Sequence, residues 1–118
     1  MALDAGVAAL PAYADSPVTD TYTVSGAEST PSNVTVQSGG LIDITSPSGA
    51  LSNSHVLATE AGGSINNAGS LTTTWYLNNA GILTNQASGS INNHKVVDNQ
   101  TGGTFSNAGT LSSNLLDR

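Results

Sequence analysis

Glycine recurs at a stride of 20, as Gly49, Gly69, Gly89 and Gly109, and two positions beyond each stands an aliphatic residue: Leu51, Leu71, Ile91 and Leu111. A fixed period of this length restricts the chain to folds in which one unit stacks on the next. Other columns keep the same stride: Leu57, Leu77 and Val97, and beside them Val36, Val56, Tyr76, Val96 and Leu116. Between columns, the apolar residues Leu51, Leu57, Ile65, Leu71, Leu77, Leu83, Ile91, Val97, Phe105 and Leu111 are separated by six or eight positions. No helical period fits those gaps. They suit three short strands per repeat, each with one or two core-facing residues, divided by corners rich in Gly, Asn and Ser. The expected fold is all-β: a short parallel β-helix (β-solenoid) of about four 20-residue coils, stacked about 4.8 Å apart by backbone hydrogen bonds.

Composition agrees. Only 8% of the 118 residues are charged and 4% are aromatic, too few aromatics for a broad globular core. The ordered apolar period nevertheless argues against disorder. A solenoid suits such a chain because its core is a thin column of aliphatic residues and its corners favour Asn and Gly. With no cysteine there is neither a disulfide framework nor a thiolate metal site.

The net charge of −6 is unevenly placed. Asp4, Asp15, Asp20, Glu28, Asp43 and Glu60 fall in the first 60 residues without a Lys or Arg, while Asp98, Asp117, Lys95 and Arg118 balance in the remainder. Nucleic acid is therefore not an expected partner. No apolar run approaches the length of a membrane span, so no membrane insertion is expected. The first 14 residues end in Ala12-Tyr13-Ala14, which imitates a signal-peptidase site but follows no basic region, and they are read as part of the working chain.

Residues 1–33 lie outside the clear repeat and hold Pro11, Pro17 and Pro31. They are expected to form an N-terminal arm or cap, containing one strand at Thr21–Val24. Leu3, Val7, Leu10, Tyr13, Tyr22 and Val24 are its anchoring side chains. Residues 34–118 are assigned to the β-helix, with 34–60 as a less regular entry coil and a turn at Ser46-Pro47-Ser48-Gly49.

Within the repeat, Ile65-Asn66-Asn67-Ala68-Gly69-Ser70-Leu71, Asn78-Asn79-Ala80-Gly81-Ile82-Leu83 and Phe105-Ser106-Asn107-Ala108-Gly109-Thr110-Leu111 resemble the short Asn-Ala-Gly repeats of filamentous-haemagglutinin-type adhesins and other bacterial or viral β-helix proteins. The resemblance covers about half of the chain. It implies a β-helix fold and a surface or fibre role.

Residues 20 apart should stack as ladders, so Thr59, Asn79 and Asn99 form one column and Ala58, Asn78 and Asp98 another. If Val36, Val56, Tyr76, Val96 and Leu116 face the core, alternation sends His55, Trp75 and Lys95 outward on one side and Leu57, Leu77 and Val97 outward on the other. Trp75, Leu57, Leu77, Val97 and Lys95 would then line a lateral interface. In the alternative, a corner intervenes and Leu57, Leu77 and Val97 turn inward. Either arrangement sets Lys95 one coil from Trp75, within reach of a cation–π contact.

Catalytic chemistry is hard to assemble from these residues. His55 and His94 fall two coils apart, about 10 Å along the axis, too far to share a metal or a proton. The available acids are Asp43, Glu60 and Asp98, of which Glu60 and Asp98 share a corner region but not a coil. Gly62-Gly63 and Gly102-Gly103 sit where corners need glycine, not in a phosphate-binding loop. No catalytic residue, cofactor or metal site is expected.

A short solenoid has two ends with unpaired backbone, which an arm, another copy or a larger assembly must cover. The expectation is a non-enzymatic structural protein on the surface of a larger assembly. Its foremost form is a virion component, a capsid decoration protein or short fibre, anchored to the shell by the N-terminal arm and self-associated as a homotrimer. The alternative is a unit of a bacterial extracellular fibre or adhesin, a head-to-tail polymer at the cell surface.

Overall fold

The computed structural model describes residues 15–30 and 32–117. Fourteen strands follow in order: β1 (Asp15–Val18), β2 (Thr21–Val24), β3 (Ala27–Thr30), β4 (Asn33–Val36), β5 (Leu41–Ile44), β6 (Ala50–Asn53), β7 (Leu57–Thr59), β8 (Ser64–Asn67), β9 (Ser70–Thr73), β10 (Tyr76–Asn79), β11 (Ile82–Asn85), β12 (Ser90–Asn99), β13 (Thr104–Asn107) and β14 (Thr110–Asp117). Among the described residues there is no helix, and the strand pairs are parallel.

The strands stack on three faces. Face A carries β1, β4, β7, β10 and the second half of β12; face B carries β2, β5, β8, β11 and β13; face C carries β3, β6, β9 and the first half of β12. Strands β12 and β14 run through the corner that joins face C to face A, pairing with each other on both sides of it. The chain thus winds about five times as a β-solenoid.

The first of these coils corrects the expected division at residue 33. Strands β1, β2 and β3 pair with β4, β5 and β6, so residues 15–30 are a full coil and not an arm. Tyr22 and Val24 are core residues of that coil. Leu3, Val7, Leu10 and Tyr13 lie outside the described residues. The repeat is masked here because Glu28 occupies the column of Leu51, Leu71 and Ile91, and because Pro17 interrupts β1. Proline is tolerated there because β1 is the outermost strand of its face.

Most strands are four residues long and bury their second and fourth side chains. Second positions hold Val34, Ile42, Leu51, Ile65, Leu71, Leu77, Leu83 and Ile91, and Leu57 and Val97 continue the Leu77 column, all essentially inaccessible to solvent. Full burial of each such side chain contributes about 1.5–3 kcal/mol. Fourth positions on faces A and B begin aliphatic, with Val24, Val36 and Ile44, and become polar further on as Asn67, Asn79 and Asn85, while face C is polar from the start, with Thr30, Asn53, Thr73 and Asn93.

A buried amide is stable only when bonded, and these amides bond from coil to coil. Asn67 donates from Nδ2 to Asn85 Oδ1 at 2.8 Å and to the Ser90 carbonyl at 3.0 Å. Asn85 donates in turn to Asn107 Oδ1 at 2.8 Å and to the carbonyls of Thr110 and Gly89. On face A, Asn79 donates to Asn99 Oδ1 at 2.9 Å and to the Thr104 carbonyl at 2.8 Å. The expected column of Thr59, Asn79 and Asn99 is therefore present, in the register Asn79↔Thr59 and Asn79↔Asn99. On face C the donors point the other way: Asn53 Nδ2 bonds to Thr30 Oγ1 and the Ser32 carbonyl, and Asn93 Nδ2 to Thr73 Oγ1 and the Trp75 carbonyl.

Three corners between faces A and B share one construction. In Gln37-Ser38-Gly39-Gly40, Glu60-Ala61-Gly62-Gly63 and Gln100-Thr101-Gly102-Gly103 the last N–H bonds to the first carbonyl. Gly39, Gly62 and Gly102 take φ of 86°, 87° and 86°, the left-handed geometry that the third residue of a type II turn requires.

Candidate interaction surface

The alternation within β7, β10 and β12 decides which residues can meet a partner. Leu57, Leu77 and Val97 are fully buried, so the expected lateral stripe through them is overturned. Their neighbours Val56, Tyr76 and Val96 are half-exposed on the outside of face A. Both columns are apolar, and the one chosen as core in the sequence is the outer one. Val36, which seemed to belong with it, is buried and pairs with Thr59 instead. Val96 pairs with Leu115 and Val97 with Leu116, because β14 is one residue shorter through the corner.

The column of His55, Trp75 and Lys95 does face solvent. Its members lie at the corner between faces C and A, fixed by the flanking registers Asn53↔Thr73↔Asn93 and Leu57↔Leu77↔Val97. Trp75 keeps 47% of its surface exposed. Lys95 Nζ lies 4.8 Å from the centre of the Trp75 ring, the cation–π contact expected from the stride. The Tyr76 ring stacks on Trp75 at 6.3 Å between centroids, with 19° between planes. Two backbone-directed amides hold this corner: Asn53 Oδ1 accepts from the His55 N–H and Asn93 Oδ1 from the Lys95 N–H.

The outside of face A thus carries Tyr76 and Val96, with Val56 just before β7 and Trp75 and Lys95 along the edge. Tyr76 was not foreseen as a surface residue. Ile82, 51% exposed at the start of β11, was not foreseen either. An outward position that is apolar gives no periodic signal separable from the adjacent core column.

The acids stay apart. Asp43 is on the outside of face B, where its Oδ1 accepts from Asn66 Nδ2 at 3.1 Å, and Gln86 Nε2 continues that outer ladder to Asn66 Oδ1 at 2.6 Å. Glu60 opens a corner turn, and Asp98 stands outward on face A beside Asn78. His55 and His94 sit on the C-to-A corner two coils apart, with the Trp75 turn between them, and Asn92 Nδ2 contacts His94 Nε2 at 3.3 Å. Among the described residues no three of His, Asp or Glu gather in metal-binding proximity. Nor is any helix there long and apolar enough to cross a membrane.

The two ends differ. In the first coil Val18, Tyr22, Val24 and Thr30 are at most 4% exposed. The Tyr22 hydroxyl is buried without a partner in hydrogen-bond geometry, and burial, reinforced by the negative charge of Glu28, pushes its pKa up to about 12. In the last coil Phe105 and Leu111 are only partly buried and Asn107 is exposed.

Comparison of the chain with protein-family models, with curated proteins and with solved structures returns no match.

Proposed function

We propose that the chain is a non-enzymatic structural protein, one rigid unit on the surface of a larger assembly, and specifically a virion component such as a capsid decoration protein or short fibre. The observation that carries this reading is how the polar side chains are used. Inward amides lace coil to coil, and Asp43, Asn66 and Gln86 do the same on the outside of face B. What is left for a partner is the outside of face A with Trp75, Tyr76, Val56 and Val96, an apolar strip suited to lateral packing against another protein surface. Six of the eight acidic residues fall in the first 60 positions of the sequence, which suits that half to docking on a basic surface.

The Asn-Ala-Gly repeats favour a second reading, a unit of a bacterial extracellular fibre or adhesin. Immunogold electron microscopy of the source cells and of the particles they release separates the two. Label on released particles supports the virion reading, and label on cell-surface fibres supports the second. Label confined to the cell interior in cells that release no particles overturns both.

A further inference from the structure

Trp75 and Ile82 are the large apolar side chains left exposed among the described residues, at 47% and 51%, and they belong to one coil. Trp75 stands on the corner by which the chain enters face A, and Ile82 begins β11 just past the corner by which it leaves. The two edges differ in shape. On the entering edge the indole projects, held by Lys95 Nζ at 4.8 Å from its centre and by the stacked Tyr76 ring. On the leaving edge Ala80-Gly81 alone joins β10 to β11, whereas the coils on either side turn through residues 60–63 and 100–103. Gly62 and Gly102 in those turns are exposed and Gly81 is buried, so the short corner is a notch between two projecting turns, with Ile82 beside it.

Charge follows the same division. His55, His94 and Lys95, every basic side chain among the described residues, lie on the entering corner, where no acid of the described residues stands. On the leaving side Glu60 opens the turn one coil before the notch, and Asp98 stands two residues ahead of the turn one coil after it. The Trp75 knob is thus flanked by His55 and Lys95, and the notch by Glu60 and Asp98, in the same two neighbouring coils. Asp15, on the first strand of face A, lies two coils from His55 and outside this strip.

We infer that face A packs on face A of a second copy about a two-fold axis parallel to the solenoid axis. The inference rests on the reading of face A as a packing surface and names the partner that fits it. An axis in that direction exchanges the entering and leaving edges while keeping every coil at its own level. Trp75 of each copy enters the other's Ala80-Gly81 notch against Ile82, and on either side His55 meets Glu60 and Lys95 meets Asp98. A two-fold axis running across the coils would instead set Trp75 on Trp75 and His55 on Lys95, with both notches empty. The product is a closed dimer with a self-complementary interface.

Analytical ultracentrifugation of the full chain across the micromolar range tests this, and the expected species has twice the 11.8 kDa mass of the chain. Trp75→Ala, Lys95→Glu and Asp98→Lys should each weaken the dimer by about tenfold or more, with circular dichroism unchanged. Lys95→Glu alone sets two acids together at both symmetric contacts, and Asp98→Lys alone sets two lysines together. Mixing these two variants gives one Glu–Lys and one Lys–Asp contact, so a mixed dimer of parental affinity should form, which an interaction confined to one chain could not produce. A monomer throughout the range, a trimer, an open-ended polymer, or failure of the mixture to dimerise would overturn the inference. Mass decides the dimer and label location decides the virion reading, so the two fail separately.

Discussion

Asn67 and Asn85 are 18 positions apart in the sequence, yet the Nδ2 of the first donates to the Oδ1 of the second at 2.8 Å inside the solenoid. Asn85 is also the donor to Asn107 Oδ1 and to two carbonyls, so it is the centre of the face B ladder. Asn85→Ala removes those bonds, leaves Asn67 Nδ2 with the Ser90 carbonyl alone and deprives the Thr110 carbonyl of its amide donor, and opens a small void. The expected loss is about 2–4 kcal/mol, measured by urea denaturation. A loss under about 0.5 kcal/mol would show that the amide lacing contributes little.

The face A ladder stops one coil early. Thr59 stands where an Asn would continue it, and Thr59 Oγ1 and Asn79 Oδ1 are both buried without partners. Thr59→Asn places an amide donor under Asn79 Oδ1 in the register that already joins Asn79 to Asn99. We expect a gain of about 0.5–1.5 kcal/mol, read as a rise of several degrees in Tm. A fall in Tm would mean that the third coil lacks room for the larger side chain.

Tyr22 gives the fold an alkaline limit. Its folded pKa of about 12 is raised above the ordinary 10.0, first by burial and then by Glu28. Because the protonated form is favoured by folding, the stabilisation is fully present below pH 10 and is lost as pH rises towards 12. Tyr22→Phe removes the buried hydroxyl together with its contact to Glu28, so at pH 7 its stability should stay within about 1 kcal/mol of the parent. Its stability should decline less between pH 10 and 12. Parallel decline of the two proteins in chemical denaturation over that range would contradict the assignment.

The solenoid was legible in the sequence because total coil length is nearly constant even though corner lengths are not. On face C, Leu51, Leu71, Ile91 and Leu111 pair in turn at a stride of 20. On face B, Tyr22, Ile42, Ile65, Leu83 and Phe105 pair at strides of 20, 23, 18 and 22. From Leu57 onward the long corner Glu60–Gly63 in one coil and Gln86–Gly89 in the next exchange places, so face B slips while faces A and C keep the stride of 20; earlier, Val34 pairs with Leu57 and Glu28 with Leu51 at a stride of 23. Gaps of eight between apolar residues mark those long corners, as between Leu57 and Ile65, and gaps of six the short ones.

The inward Asn residues carried a readable signal that spacing by 20 passed over. Ile65-Asn66-Asn67, Leu83-Thr84-Asn85 and Ile91-Asn92-Asn93 each set an Asn two positions after a core residue, hence on the same side of the strand. The surface was less legible. Val56, Tyr76 and Val96 adjoin Leu57, Leu77 and Val97, and hydrophobicity alone cannot phase a strand whose two faces are both apolar. The Trp75–Lys95 contact was foreseeable because both residues sit in a corner of constant length, where the stride of 20 holds.

The central claim is that residues 15–30 and 32–117 form one solenoid laced by inward amides, and hydrogen exchange by NMR tests it most directly. The account predicts that the N–H groups of Thr45, Glu60, Ala68, Ala80 and Gln86, bonded to the coil before, exchange most slowly. Amides of β2 should be protected with them. Exchange of the β2 amides as fast as in an unfolded chain, with the rest protected, would instead make residues 15–30 an arm and contradict the five-coil account.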